Sequence, residues 1–223
     1  MQKLTIYMVP DSAIIIGTFQ WIVKGGIHME RNKSLYRIII IGLMAAMVFV
    51  ATLFFKFDIP TPPDKTMIKL GNAVCVLSGL LLGGLGGGLA SGIGSALFDL
   101  MDPVYAPEAW ITLIRFFLMG LIAGAISHAG GQRGRNFKLN LTAAIAASAF
   151  SLLFYITKSV LTQMALAGSF TTNQLAIALG AVSTKIIAGS INAVAAVVVS
   201  VILVKPLVAA LDRAGLMSKI EGR

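Results

Sequence analysis

Apolar residues in this chain fall into long runs separated by short polar segments, with neither the period of a half-buried strand nor the single stripe of a surface helix. Runs at 36–55, 110–128, 139–167 and 174–204 are each about twenty residues or longer and lack the flanking polar faces of a soluble core, so each predicts a membrane-spanning helix. A further run at 69–102 starts at Lys69, meets no charge until Asp99, and carries eight of the 23 glycines between Gly79 and Gly94. As one helix its uncharged part would be roughly 44 Å long at about 1.5 Å per residue, too long for an untilted ~30 Å hydrocarbon core. The expectation is therefore two short helices, broken near 83–88. Between the runs lie a proline-rich loop holding Pro60, Pro62, Pro63 and Asp64, a second proline-bearing loop at 102–108, and a basic turn at 130–138. Three prolines in four residues predict a stiff, extended loop rather than a helix.

Charge decides between five and six crossings. With two in the glycine-rich run, Arg31, Lys33, Arg37, Arg133, Arg135, Lys138, Lys205, Arg213 and Lys219 share one side. The other side then holds Lys56, Lys65 and Lys69 with Asp58, Asp64, Asp102 and Glu108. A single crossing would put the basic turn and the tail outside, against the tendency of basic loops to stay in the cytoplasm. The fold class expected is thus an all-α polytopic membrane protein with six transmembrane helices and both termini cytoplasmic.

Composition agrees: the chain is 57% hydrophobic and 12% charged, half the charge of an ordinary soluble domain. Its net charge of +9 sits in short loops, where it orients the chain in a membrane, so nucleic acid is not an expected partner. Residues 1–28 read as a non-native leader, with a short interfacial helix the alternative, and 220–223 as a protease-recognition remnant, leaving 29–219 as the membrane domain. Cys75 is the one cysteine, and His28 and His128 have no nearby ligand set, so neither a disulfide nor a metal site is expected. The glycines match neither the phosphate-binding loop nor the dinucleotide fingerprint. No hydrolase or zinc-protease pattern occurs. Nothing here reads as an enzyme, and uphill transport would draw on a partner or an ion gradient.

Ionisable groups at membrane depth are costly and usually functional. Asp99, Arg115, Lys158 and Lys185 lie in or near apolar runs, and Asn72 opens the first short helix. In the six-crossing arrangement all five fall between the midplane and the outer surface, which predicts a polar cavity facing outward. Helical spacing groups Tyr155, Lys158 and Thr162; Ser91, Ser95 and Asp99; and Lys185, Gly189 and Asn192. Trp110 and Tyr155 are candidates to stack on a flat ring, with an interfacial anchor an equal alternative for Trp110. Three cations against one carboxylate favour a solute bearing a carboxylate, a phosphate or electron-rich heteroatoms. The bland alternative is that Asp99 makes a purely structural pair and Lys158 extends outward to solvent. Small residues at four-residue spacing fit close helix packing. In the first run Gly42 and Ala46, with Ala45 beside them, offer such a face to an internal neighbour or a partner helix.

The sequence 68–73 (IKLGNA), the glycine-rich hairpin, GSALFDLM, and YAPEAWITLIRFFLMGLIAG together resemble the substrate-binding S components of energy-coupling factor (ECF) transporters. They are most similar to the hydroxymethylpyrimidine, thiamine-precursor and pyridoxine branch. In that branch the second helix often opens Leu-Gly-Asp-Ala, where this chain has Asn72, and the fourth often carries Thr-x-x-x-Lys, where Thr112 and Arg115 stand one residue closer. The resemblance implies a six-helix subunit of the bacterial cell membrane that captures a small water-soluble vitamin from outside. It implies partners: an EcfT-like transmembrane coupling protein and two cytoplasmic ATPases, against which the subunit topples. ATP is then used by the partner subunits, with no cofactor in this chain. It further implies docking through Gly42, Ala45 and Ala46, and gating by the loops at 57–68 and 102–108. A stand-alone proton-coupled carrier, with Asp99 and Lys185 as relay groups, is the rival expectation, and a solute-free membrane scaffold a third.

Overall fold

A computed structural model describes residues 33–61 and 65–215. The leader at 1–28, the remnant at 220–223, and Pro62, Pro63 and Asp64 of the expected gating loop lie outside the described residues. Helix α1 (Lys33–Phe54) is followed by β1 (Lys56–Pro60) and β2 (Lys65–Lys69), then α2 (Gly71–Met101), α3 (Ala109–Ser127), α4 (Phe137–Leu166), α5 (Thr172–Ala181) and α6 (Ser183–Arg213). Five helical segments are long and apolar enough to cross a membrane: Leu35–Phe54, Gly71–Met101, Ala106–Ser127, Phe137–Leu166 and Ser183–Arg213. The chain is a helical, multi-pass membrane protein.

The second of these segments folds back on itself. Gly83 has φ 79° and ψ −179°, a backbone region closed to any residue with a Cβ, and the two limbs on either side of it pack antiparallel. Ser91 Oγ donates to the Cys75 carbonyl at 2.9 Å, and Cys75 Sγ lies 3.4 Å from Ser95 Oγ. A Cβ on Gly87 would sit 2.3 Å from the Gly79 Cα, so these backbones touch where side chains are missing. Helix α3 lies along both limbs just as closely; a Cβ on Gly124 would meet the Gly83 carbonyl carbon at 2.2 Å. The expected break therefore falls on Gly83, and the glycines hold helices together.

The remaining core mixes small and branched aliphatic residues, including Val48, Val76, Leu80, Ala143, Ala147, Ala196 and Val204, with the larger Phe116 and Met119, all buried. At the basic turn Asn136 caps α4 by accepting from the Lys138 and Leu139 amides, which satisfies two of the helix's free N–H groups.

Three expectations need correction. The proline-bearing loop is an antiparallel β-hairpin, pairing Lys56 with Lys69 and Pro60 with Lys65; Pro60 sits at the end of its strand, where a missing donor costs least. The run 174–204 is not one helix but α5 and α6, meeting at Val182, which is buried against Val160, Met164 and Ala178. Helix α6 instead continues through Pro206 to Arg213, so Lys205 belongs to a helix, its ammonium 5.3 Å from the Phe137 ring centre.

Candidate functional site

The β-hairpin is tied to the bundle along β2 and at its tip. Asn192, one-third of the way along α6, turns its amide onto β2: Oδ1 accepts from the Lys69 N–H and Nδ2 donates to the Met67 carbonyl, each at 2.8 Å. A side-chain amide thus replaces a neighbouring strand. Thr66 Oγ1 lies 2.9 Å from the Tyr155 hydroxyl. At the tip Lys65 Nζ donates to Asp102 at 2.7 Å, and the Tyr105 hydroxyl donates to the Lys65 carbonyl at 3.0 Å. Lys56 and Asp58 complete this ion cluster.

Burial alone would raise the Asp102 carboxyl, but the Lys65 hydrogen bond, the Val104 N–H and the charges of Lys65 and Lys56 outweigh it and hold it below the usual range. Lys65 is raised, chiefly by its hydrogen bond to Asp102. Burial pushes the Tyr105 phenol up, which keeps it a donor.

Beneath the hairpin lies a cavity of about 120 Å³. Of the residues singled out from sequence, Asn72, Asp99, Arg115, Tyr155, Lys158, Lys185 and Asn192 all line it. Lys185, Gly189 and Asn192 share one face of α6, and Tyr155 and Lys158 one face of α4, as helical spacing requires. Trp110 does not belong to this set. It is 64% exposed and faces away from the cavity, because its place in the first turn of α3 points it outward while Thr112 and Arg115 point in. Thr162 is also absent, bonded instead to the Lys158 carbonyl. Ser91 and Ser95 are spent on the α2 hairpin.

The electrostatics differ from the expected three cations around Asp99. Lys158 forms an ion pair with Glu108, at the mouth. Asp99, 4% exposed, is close enough to bias Lys69 and Arg115 electrostatically. No described carboxylate stands within ion-pair distance of either cation. Arg115 Nε donates to Ser151 Oγ at 2.9 Å, and its guanidinium carbon lies 4.6 Å from the Phe116 ring centre and 4.9 Å from that of Tyr155. Lys69 Nζ is 4.9 Å from the same Phe116 centre. Two buried polar atoms of the lining, Asn72 Oδ1 and Ser148 Oγ, have no hydrogen-bond partner among the described residues, a cost a protein bears where something else is to bind.

Sequence reasoning missed Lys69 by counting it among the external loop charges, and missed Ser148 and Ser151. A signal for the serines existed: Ser148, Ser151, Tyr155 and Lys158 recur at helical spacing on an otherwise apolar helix. Lys69 carried none, since a β-hairpin dipping into a membrane bundle leaves no periodic mark in five residues.

The small-residue face of α1 divides. Ala45 is buried, its carbonyl oxygen against Gly94, so packing within the bundle occupies it. Gly42 and Ala46 are exposed, one helical turn apart, amid exposed Ile38, Ile39, Leu43 and Val50.

Compared with known protein families, residues 32–209 match the model of the family described as ECF-type riboflavin transporter, S component. No curated protein matches the chain.

Proposed function

The chain belongs to the ECF-type riboflavin transporter S component family, and we propose that it captures a small water-soluble vitamin or precursor from outside the bacterial cell membrane for ATP-driven uptake. The family is one of transporter subunits rather than enzymes, and its members work with a coupling protein and an ATPase module. The observation that carries the reading is a polar cavity with two buried cations, Lys69 and Arg115, closed by a latched β-hairpin. Binding falls to Asn72, Asp99, Arg115, Tyr155, Lys158 and Lys185, with Lys69 and Ser148 added; Asn192 acts mainly by holding β2. The hairpin and the loop bearing Asp102 and Tyr105 are the gate.

The solute is narrower than the family's printed name. Drug-sized sites run to about 300–1,000 Å³, whereas this cavity measures about 120 Å³. That favours a single-ring compound, about the size of hydroxymethylpyrimidine or pyridoxine, over a three-ring flavin. The reversal at Gly83 supports six crossings with both termini cytoplasmic. Gly42 and Ala46 are the surface for the transmembrane coupling protein, and ATP is consumed by two cytoplasmic ATPase partners, with no cofactor in this chain.

Two measurements test the reading. The tagged chain, expressed in its own host, should co-purify with a coupling protein and ATPases; purification alone, with solute uptake abolished by a proton uncoupler, would favour the stand-alone carrier instead. Replacing Ala46 with Trp should block uptake and leave solute binding by the isolated chain unchanged. Normal uptake in that variant would remove this face from docking.

A further inference from the structure

The two cations at the floor of the cavity come from different parts of the molecule. Arg115 is fixed on α3, its Nε held by Ser151, whereas Lys69 belongs to β2, the strand that closes the site. Both flank the Phe116 ring, whose face stabilises a neighbouring positive charge. The ammonium of Lys69 and the terminal nitrogens of Arg115 have no hydrogen-bond acceptor among the described residues. Of the other lining cations, Lys158 is answered by Glu108 and Lys65 by Asp102, and Lys185 belongs to the α6 wall. Asp99 offsets one of the two floor cations at a distance, so these three groups carry an excess of one positive charge. A buried charge without a contact partner is unfavourable. The same cations next to a bound anion would form charge-assisted hydrogen bonds, which are short and strong.

We propose that the floor of this cavity is a subsite for one anionic group of the solute, a carboxylate or phosphate seated between Lys69 and Arg115. Asn72 Oδ1, which can only accept, takes a hydrogen bond from a neutral N–H or O–H of the same molecule, and Ser148 Oγ bonds beside it. The solute class is therefore a small ring compound with a single anionic group and a donor edge. Because Lys69 rides on β2, the anion also bridges the hairpin to α3, and the charge that selects the solute draws the gate down. This rests on the S-component reading for its physiological setting, but the anion subsite is tested on the isolated chain.

The test is thermal unfolding of the purified full chain in detergent, with matched probes at equal ionic strength: nicotinate against nicotinamide, pyridoxine 5′-phosphate against pyridoxine, and inorganic phosphate against chloride. The anionic member of at least one pair should raise the midpoint and its neutral or chloride counterpart should not. In Lys69→Gln and Arg115→Gln the apparent affinity for that anion should fall about 10- to 100-fold, the loss expected for a charged hydrogen bond. Lys69→Arg, which keeps the charge, should retain most of it, and it decides the matter if either Gln variant fails to fold. Limited proteolysis at the hairpin should slow with the anion in wild type and not in Lys69→Gln. No anion raising the midpoint, a neutral member matching its charged partner, or Lys69→Gln binding the anion as wild type does would each overturn the subsite. Those results leave the S-component reading standing, because that fails only if no coupling protein or ATPase co-purifies.

Discussion

Asn192 shows how much of this site rests on single side chains. Its amide gives one acceptor and one donor to the backbone of β2, so neither Asp nor Leu can replace it: a carboxylate has no proton for the Met67 carbonyl, and Leu has no polar atoms. In Asn192→Ala two buried backbone groups lose their partner, at a cost of about 1–3 kcal/mol each. The expected outcome is faster amide hydrogen exchange at Lys69, whose N–H loses its acceptor, with the helical core exchanging as before. At the other end of the hairpin the Lys65–Asp102 pair sets a pH window. The Asp102 carboxyl is held low, so its contribution is present above the ordinary carboxylate range and is lost as pH falls through its depressed folded value. Lys65 is raised, so its contribution is present below the ordinary lysine value and is lost only as pH climbs through the raised one. The latch should hold from about pH 4 to about pH 10. The midpoint difference between wild type and Asp102→Asn should be constant across that window and close below it, as thermal scans against pH would show.

At the scale of elements, the glycine-rich segment is the part of the fold the chain states most openly. Length and charge required a reversal, and the residue that provides it is Gly83, whose conformation no other residue type tolerates. Gly83→Ala should cost about 1–3 kcal/mol from backbone strain alone, with its Cβ also only 3.3 Å from His128 Nδ1. The check is the unfolding midpoint against Gly42→Ala, where open space surrounds the new methyl group. Less was legible elsewhere, for physical reasons. A run of apolar residues fixes helix and depth but not the corner at Val182, which arises from tertiary packing on Val160 and Met164. The prolines signalled an extended loop, yet strand pairing depends on partners far along the chain, Tyr155 and Asn192 among them. Facing residues on α4 and α6 were visible from helical spacing, while Lys69 depended on where the hairpin docks. Trp110 could be a stacking ring or an interfacial anchor by sequence, and its outward position fits the second; a helix's first turn gives no clue to which side faces the bundle.

For the molecule as a whole, the uneven distribution of charge and the reversal at Gly83 make orientation testable. In a chain whose own Cys75 is buried, a single cysteine placed at Gly131 in the basic turn should react with impermeant maleimide only in opened cells or inverted vesicles. One at Thr171, beside the outer end of α4, should react in intact cells. Reaction of both from the same side would rule out six crossings. The match to a riboflavin-transporter family, the small cavity and the two floor cations pull toward different solutes, and the paired-probe unfolding series ranks them by charge before any is named.

The unequal limbs of α2 carry one more consequence. The first, residues 71–82, is only roughly 18 Å long at about 1.5 Å per residue, well short of the ~30 Å hydrocarbon core. If both limbs cross, as proposed, the remaining depth falls to the β-hairpin that precedes the first limb, and exposed peptide groups cannot be left facing lipid. The hairpin can therefore lift only upward, into water, and lipid tails cannot follow it or fill the space it leaves. Thicker or thinner bilayers should strain the long helices while barely changing the work of opening: this is a door that opens onto water and never onto oil.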